Sequence, residues 1–525
     1  MIQKIYNDIK RTKKIFNIPL DLITMISDEQ RASLFCLAIL YQNTDNGNLR
    51  KELLKISPWL SKYEKLLKPN FIHSTSNLIS SELIINKTFL KEEYSDKEIY
   101  SFVNDFTFSK IPLIDVSFWG MLVCQCGISE ENTYKLTIAM AKSGKYYDYR
   151  KYFPKSFFTR RYPTGGVSEK LALLLPTMLI SISEQFDIKS PFTVAKSLGF
   201  TGGTWDKLSS IPGFTFPSPG IDSIDTLRRC NVSMTVSKND MCPADRILYQ
   251  LRSLTGSVES VELAAASIAC KQLAIPCDYL ILDTRYGSGA FFEHGEDARR
   301  MATLVGKFLT KAGIDVDIVY TDTPYPNGSS IGNALEVEEA ICILTGHSKI
   351  NWNLDGIREQ KKLLFKFLSL IMQKITGDNL FDASGMAESI IKNGMAKQNL
   401  KKLLLAHRVP QKIVSDIFKN SFAEVIGLKK VDMDIKADNN FILKGINQRN
   451  VGNFVNFELG AARYEFGVKE KSLNGILLYH RPNDLIKKGE PLFSIYSTNP
   501  IEVIQKKENI IALLKESILK ETPHR

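Results

Sequence analysis

A change of texture near residue 162 constrains the fold more than any other feature of the chain. From there on, glycine clusters at Gly165-Gly166, Gly199 through Gly203 and Gly287-Ser288-Gly289 alternate with short apolar runs. Asp278-Tyr-Leu-Ile-Leu-Asp283 has the continuous apolar pattern of a buried strand and leads into a glycine-rich turn, and Asp315–Thr321 is a second such run. Strands alternating with helices predict an α/β sheet, whose ligands sit beyond the carboxyl ends of the strands. Tyr162-Pro-Thr-Gly-Gly-Val-Ser168 and Gly199-Phe-Thr-Gly-Gly-Thr-Trp-Asp-Lys207 each place glycine and hydroxyls before a predicted helix. Unpaired N–H groups and the helix dipole favour an anion there, and glycine admits close backbone approach. A glycine-rich turn is more often only a turn, but two in one segment shift the balance.

The flanking regions differ. Residues 1–79 are low in glycine and read as helices, with Ile5, Ile9, Ile15, Leu20 and Leu34, Leu37, Leu40 on roughly amphipathic spacings. Helices continue through 85–146: Ser95-Asp-Lys-Glu98 is a capping start, and Glu130–Ser143 ends before Gly144. Residues 357–425 return to helix. From residue 436 the chain is strand-rich, with Gly475–Tyr479 and Pro491–Tyr496, and a basic helix is expected near 501–520.

At 525 residues, two or three domains are expected. A 44% hydrophobic and 24% charged composition argues against disorder. No apolar run is long enough to span a bilayer; Leu171–Ile182 is short and broken by Pro176. The mixed-charge start Met1-Ile-Gln-Lys-Ile-Tyr-Asn-Asp has no signal-peptide core, so a cytoplasmic location and no membrane partner are expected. The net charge of +11 suits nucleic acid or an anionic small substrate. The lysines are dispersed over helix-like segments, which disfavours a nucleic-acid groove. Eight cysteines are scattered, and Cys124-x-Cys126 has no second pair at metal spacing, so structural thiols are expected rather than zinc.

One more constellation carries chemistry. Asp245-Arg-Ile-Leu-Tyr249-Gln-Leu-Arg252 reads as a helix with Pro243 near its first turn, and Tyr249 and Arg252 share a face. The next helix carries Ser267 and Lys271 four residues apart, again on one face. Converging on a pocket, Arg252, Ser267 and Lys271 would supply donors to a pyrimidine ring. By spacing alone, a solvated helix face is the commoner explanation.

The ordered series Tyr162-Pro-Thr-Gly-Gly-Val, Leu198-Gly-Phe-Thr-Gly-Gly-Thr-Trp-Asp-Lys-Leu-Ser-Ser-Ile-Pro-Gly213, Cys242-Pro-Ala-Asp-Arg-Ile-Leu-Tyr249 and Arg252–Ser260 resembles the thymidine/pyrimidine-nucleoside phosphorylase family. It continues through Ala265–Lys271, Asp283-Thr-Arg-Tyr-Gly-Ser-Gly-Ala-Phe291 and Gly332-Asn-Ala-Leu-Glu-Val337. The resemblance spans 85–430 well and 436–500 loosely, with 1–79 outside it. It implies α/β architecture with a small all-α domain and a C-terminal α+β domain, in a homodimer. The expected division is 1–79 as an extension, 80–150 with 243–273 as the base-binding helical domain, 151–242 with 274–432 as the phosphate-binding α/β domain, and 433–525 last. The resemblance assigns the base to Arg252, Ser267 and Lys271, with Tyr249, Phe291 and Leu198 lining the pocket. It assigns phosphate to Arg161, Thr164, Thr204 and Lys196. No cofactor is required by it, phosphate is a co-substrate, and Glu336 is a candidate ligand for a monovalent cation.

The departures from the family pattern fall on the phosphate side. Where the family has Asp-Lys-His-Ser-Thr-Gly-Gly, this chain has Arg160-Arg161-Tyr162-Pro163-Thr164-Gly165-Gly166. Arg161 replaces a lysine with a planar fork, Tyr162 replaces the base-polarising histidine, and Pro163 removes a hydroxyl and a backbone donor. Two further family serines match Ala172 and Val194, and the family's arginine and histidine in the second glycine loop match Lys196 and Phe200. The expectation is a pentosyltransferase acting on the N-glycosidic bond of a pyrimidine nucleoside or nucleotide, with Tyr162 donating toward the base. The alternative is a pyrimidine-binding sensor that has lost turnover.

Overall fold

In the computed structural model, Ile5, Ile9, Ile18 and residues 20–41, 47–69, 78–197, 200–236, 240–433, 435–459 and 473–521 are described. Strands β1 (Phe157–Pro163), β2 (Ile188–Val194), β3 (Val232–Val236), β4 (Tyr279–Tyr286) and β5 (Asp315–Asp322) form a parallel sheet in the order β3-β2-β1-β4-β5. All of the expected run 278–283 but its first residue lies in β4, which is buried through Arg285. Register between β1 and β4 runs from Thr159 opposite Tyr279 to Pro163 opposite Asp283. The chain steps outward from β1 to β3, then returns to lay β4 on the other side of β1. The order therefore reverses between β1 and β4, and their carboxyl ends are where a ligand crevice forms in such sheets. Thr164-Gly165-Gly166 follows β1 and Gly287-Ser288-Gly289 follows β4.

The core of this sheet is aliphatic. The Leu171–Phe186 helix buries Leu174, Leu175, Met178 and Leu179 in one cluster with Ile188, Ile281 and Leu335. Later in the chain come β6 (Ser330–Ile331), β7 (Lys429–Lys430), β8 (Ile435–Lys436), β9 (Phe441–Ile446), β10 (Asn474–Leu478), β11 (Leu485–Ile486), β12 (Pro491–Ser497) and β13 (Ile518–Glu521). These make a sheet β6-β10-β12-β7, with β8 also on β12, and a smaller sheet β11-β9-β13. The basic helix expected at 501–520 is instead two helices, Pro500–Gln505 and Lys507–Glu516, followed by β13. Ile518 and its neighbours pair with β9 rather than continue the helix, because a partner edge is there to take their backbone.

The chain packs into two compact units. One comprises Met1–Asp148, Lys238–Pro276 and Glu296–Ile314; the other comprises Tyr149–Ser237, Cys277–Gly295 and Asp315–Arg525. Glu296–Ile314 falls in the helical unit, whereas the sequence division groups it with 274–432. In the helical unit, Ser95 and Glu98 close a capping box on the Asp96–Thr107 helix, and Ser129 caps Glu130–Lys142. Among the described residues, no helix is long and apolar enough to cross a membrane.

His407, after the Met395–Ala406 helix, stacks on Phe214 at 4.6 Å and 11°, with Nδ1 3.2 Å from the Thr215 carbonyl. Burial pushes its pKa down to about 3. The unfolded chain binds this proton near pH 6.5 and the folded chain does not, so stability is full above that value and falls as pH drops toward 3. Replacing His407 by Phe keeps the stack and removes the titration. Urea unfolding between pH 7 and 5 should then lose up to about 1.4 kcal/mol of stability less per pH unit than the wild type. An unchanged slope would show that this ring does not titrate on unfolding.

Candidate functional site

In the helical unit, Pro243 occupies the first turn of the Pro243–Thr255 helix, where a missing N–H costs nothing. Gly256 ends that helix at φ 76°, and Ser260 caps the Val261–Ala274 helix by accepting the Leu263 N–H at 3.3 Å. Across the gap between the two helices, the Lys271 ammonium donates to Ser267 Oγ at 2.9 Å and to Asp245 Oδ2 at 2.7 Å. It lies 5.7 Å from the centre of the half-buried Tyr249 ring. Asp245, Ser267 and Lys271 are all buried, and Asp245 Oδ1 has no hydrogen-bond partner among the described residues. An unsatisfied buried carboxylate oxygen is costly, so this cluster is set to receive a donor.

Arg252 is arranged differently from the expectation of three donors aimed together. Its guanidinium donates to the carbonyls of Ser257, Val258 and Leu263, which holds the 256–260 turn between the helices. Those bonds occupy three of its five N–H groups, leaving two for a ligand. The structure thus bonds Ser267 to Lys271 and gives Arg252 a separate anchoring task.

In the α/β unit, the carboxyl ends of β1 and β4 carry a buried charge network. Arg161 pairs with Asp283 and, at 3.1 Å, with Glu169, and its guanidinium stacks on Phe367 at 4.8 Å. Arg285 reaches Asp283 and Glu169 at 3.1 and 3.6 Å, and Thr321 donates to Asp283 Oδ1. Burial alone would raise the pKa of Asp283 and Glu169, but Arg161 and Arg285 hold both below the usual carboxylate range. Arg161, expected to bind phosphate, is thus already ion-paired in this structure. Its charge is neutralised from within, because β1–β4 register sets it beside acids that arrive from elsewhere in the chain.

The other expected anion ligands each have local partners. The Thr164 N–H donates to the Asp283 carbonyl, and Thr164 Oγ1 accepts the Arg285 N–H at 2.9 Å, so the hydroxyl keeps its own proton to donate. Thr204 opens the Thr204–Ser209 helix, where Asp206 already accepts from the Gly203 and Ser197 N–H groups at 2.9 and 2.6 Å. Lys196 is exposed, with its ammonium 4.5 Å from the Trp205 ring centre. Tyr162 is half-buried near the end of β1, and Leu198 lies outside the described residues. Glu336 accepts the Gly332 N–H at 3.0 Å and sits 3.4 Å from the Lys207 ammonium.

Phe291 closes over the first glycine turn. A Cβ on Gly165, at φ 100°, would come within 2.7 Å of its ring, so only glycine fits. Two residues outside the sequence motifs hold this arrangement. Gln448 donates to Ser288 Oγ at 2.8 Å and to the Thr323 carbonyl at 2.7 Å. Arg449 donates to the Ala290 and Phe291 carbonyls at 3.0 and 2.8 Å and lies 4.8 Å over the Phe200 ring. Asp245 is a third residue that the sequence motifs leave without a role, although its spacing of four from Tyr249 is a usable signal.

No family model matches the chain. It is 31% identical to a pyrimidine-nucleoside phosphorylase from Bacillus subtilis (strain 168) over 441 residues, 83% of this chain and 96% of the relative. The chain belongs to the pyrimidine-nucleoside phosphorylase family. A pyrimidine-nucleoside phosphorylase from Geobacillus stearothermophilus is 31% identical, covering 76% of this chain and 88% of its own. A thymidine phosphorylase from Mycoplasmoides pirum is 29% identical, covering 81% and 97%. A solved anthranilate phosphoribosyltransferase from Thermus thermophilus covers 66% of this chain and 99% of its own, at a TM-score of 0.36 and 12% identity.

Within this pyrimidine-nucleoside phosphorylase family member, the buried network makes a direct prediction. Asp283→Asn leaves Arg161 and Arg285 with Glu169 as their one shared carboxylate and should cost about 3–5 kcal/mol at pH 7 in urea unfolding. Because Asp283 and Glu169 are both depressed in the fold, the wild-type contribution is present above the ordinary carboxylate range and is lost as pH falls through the folded values. A variant within about 1 kcal/mol of wild type would mean the network contributes little.

Proposed function

We propose that the chain is a pentosyltransferase that breaks the N1–C1′ bond of a pyrimidine nucleoside and passes the pentose to inorganic phosphate. The observation that carries this reading is the buried Asp245–Ser267–Lys271 cluster beside Tyr249, in a member of a family whose named relatives are nucleoside phosphorylases.

As the bond breaks, electrons pass to the base and negative charge grows on its carbonyl oxygens. Donors that gain strength with that charge lower the barrier. The Lys271 ammonium, held by Asp245 and Ser267, places its positive charge where the base's negative charge develops. The Ser267 hydroxyl accepts from Lys271, so its own proton can point at the base. Asp245 orients the ammonium and balances its charge while no base is bound. Arg252 adds its two remaining N–H groups. Tyr249 offers an aromatic face to a flat ring.

On the acceptor side, Thr164 supplies a hydroxyl donor. Arg161 and Arg285 supply positive potential that is already offset by Asp283 and Glu169. Phosphate therefore competes with internal carboxylates, and a high KM for phosphate is expected.

Phosphate-dependent release of base from uridine and thymidine tests the proposal. Lys271→Met should lower kcat/KM by about 100-fold or more and Ser267→Ala by about 10-fold, as loss of donors to developing charge does. Absence of base release by the wild type from either nucleoside, at any phosphate concentration, overturns the reading. Calorimetric binding without turnover would then favour the sensor.

A further inference from the structure

Lys170 stands at the N-cap of the Leu171–Phe186 helix, and its side chain is fully buried. A cation at that end of a helix opposes the dipole, and a buried ammonium persists only when acceptors surround it. Here they do. The Lys170 ammonium lies 2.6 Å from Ser168 Oγ, 2.7 Å from the Asn327 carbonyl, 3.1 Å from the Ser330 carbonyl and 3.2 Å from Glu339 Oε2. An ammonium has three protons, so these oxygens outnumber them. One charge inside such a surplus of oxygens is the arrangement of a coordinated cation.

The shell joins three stretches of the α/β unit. Ser168 comes from the turn after β1 and adopts φ 63°, a left-handed conformation uncommon for a residue with a Cβ. Its hydroxyl also lies 2.6 and 2.7 Å from the Asn327 and Ser330 carbonyls. Between those carbonyls, Gly328 has φ 82°, and a Cβ there would collide with Glu339 and come within 3.0 Å of the ammonium. Glu339, from the Asn333–Thr345 helix, accepts the Ser329 N–H at 2.7 Å and the Ser330 hydroxyl at 2.5 Å. Arg481 donates to the Pro326 and Gly328 carbonyls and so holds the same loop. The oxygens stand further from the nitrogen than the about 2.3–2.6 Å of a calcium shell, which suits a larger, singly charged ion. Carbonyl oxygens replace the hydration shell of potassium in this way.

We propose that Lys170 is a tethered monovalent cation: its ammonium fills an oxygen shell that, without it, takes a potassium or ammonium ion. The turn after β1 is thereby fixed to the 327–330 loop with no free ion. Lys170 is a positioning residue. Its neighbour Glu169 pairs with Arg161 and Arg285, and the Val167 N–H bonds the Gly289 carbonyl, so the shell anchors the turn that carries the charged wall.

The test reads stability and does not depend on the proposed reaction. In choline, potassium and ammonium chloride of equal ionic strength, the wild type should melt within about 1 °C of one temperature. Lys170→Ala leaves Glu339 without this cation and should melt about 5 °C or more lower in choline chloride. Potassium or ammonium chloride should restore at least half of that loss, with saturation. A Lys170→Ala protein equally unstable in all three salts overturns the proposal, as does a wild type that potassium stabilises as strongly as it does the variant. If Lys170→Ala does not fold in choline chloride, its refolding yield from urea decides. Yield that appears only with potassium or ammonium supports the tethered cation, and no yield in any of the salts overturns it.

Discussion

Four buried charges at the carboxyl ends of β1 and β4 govern much of what this molecule can do. Arg161 and Arg285 face Asp283 and Glu169 with almost no access to solvent. Such charges persist in an interior only when each has partners, since an isolated one would carry several kcal/mol of desolvation cost. The set also couples elements far apart in sequence. Arg161 comes from β1, Glu169 from the turn after it, and Asp283 and Arg285 from β4. A shift of the β1–β4 register by one residue would turn Arg161 away from Asp283 and separate all four. The glycine turns are fixed by the same register, because Thr164 and Val167 bond to backbone of the Asp283 and Gly289 region.

This arrangement explains why the altered residues of the phosphate side occur together. Pro163 sits at the last position of β1, opposite Asp283, where a strand tolerates a missing donor. A lysine at 161 would present one point charge, whereas the guanidinium fork touches both Asp283 and Glu169 and sits over the Phe367 ring. Phe200, matched to a family histidine, packs under Arg449 and against Phe291 at 5.7 Å. Arg161, Pro163 and Phe200 are thus parts of a packed and charge-balanced wall.

The legible parts of the fold are those fixed by local chemistry. β4 is readable from its apolar run, the Asp96 helix from Ser95 and Glu98, and the Ser267–Lys271 pair from its spacing of four. What is not legible depends on partners distant in the chain. Nothing near Arg161 announces that residue 283 will neutralise it, and nothing near Gln448 announces that it will hold Ser288. Ile518–Glu521 continues a helical pattern in the sequence, yet pairs with β9 because an unpaired edge outcompetes one more helical turn. The N-terminal helices are readable as helices, but their surface is not. Helical periodicity says which residues are apolar and is silent about what covers them.

The two halves of the candidate chemistry therefore differ in kind. The base side keeps its ammonium, hydroxyl and carboxylate in one bonded cluster with an oxygen still unsatisfied, which is a site whose own packing leaves work for a ligand. On the acceptor side, the most strongly charged groups are satisfied by each other. Under the proposed function, phosphate binding there is an exchange, in which the anion gains Arg161 only to the extent that Asp283 or Glu169 gives it up. In a low-dielectric site such an exchange is governed by differences between large terms, so small changes in the wall alter anion affinity far more than they alter the grip on the base.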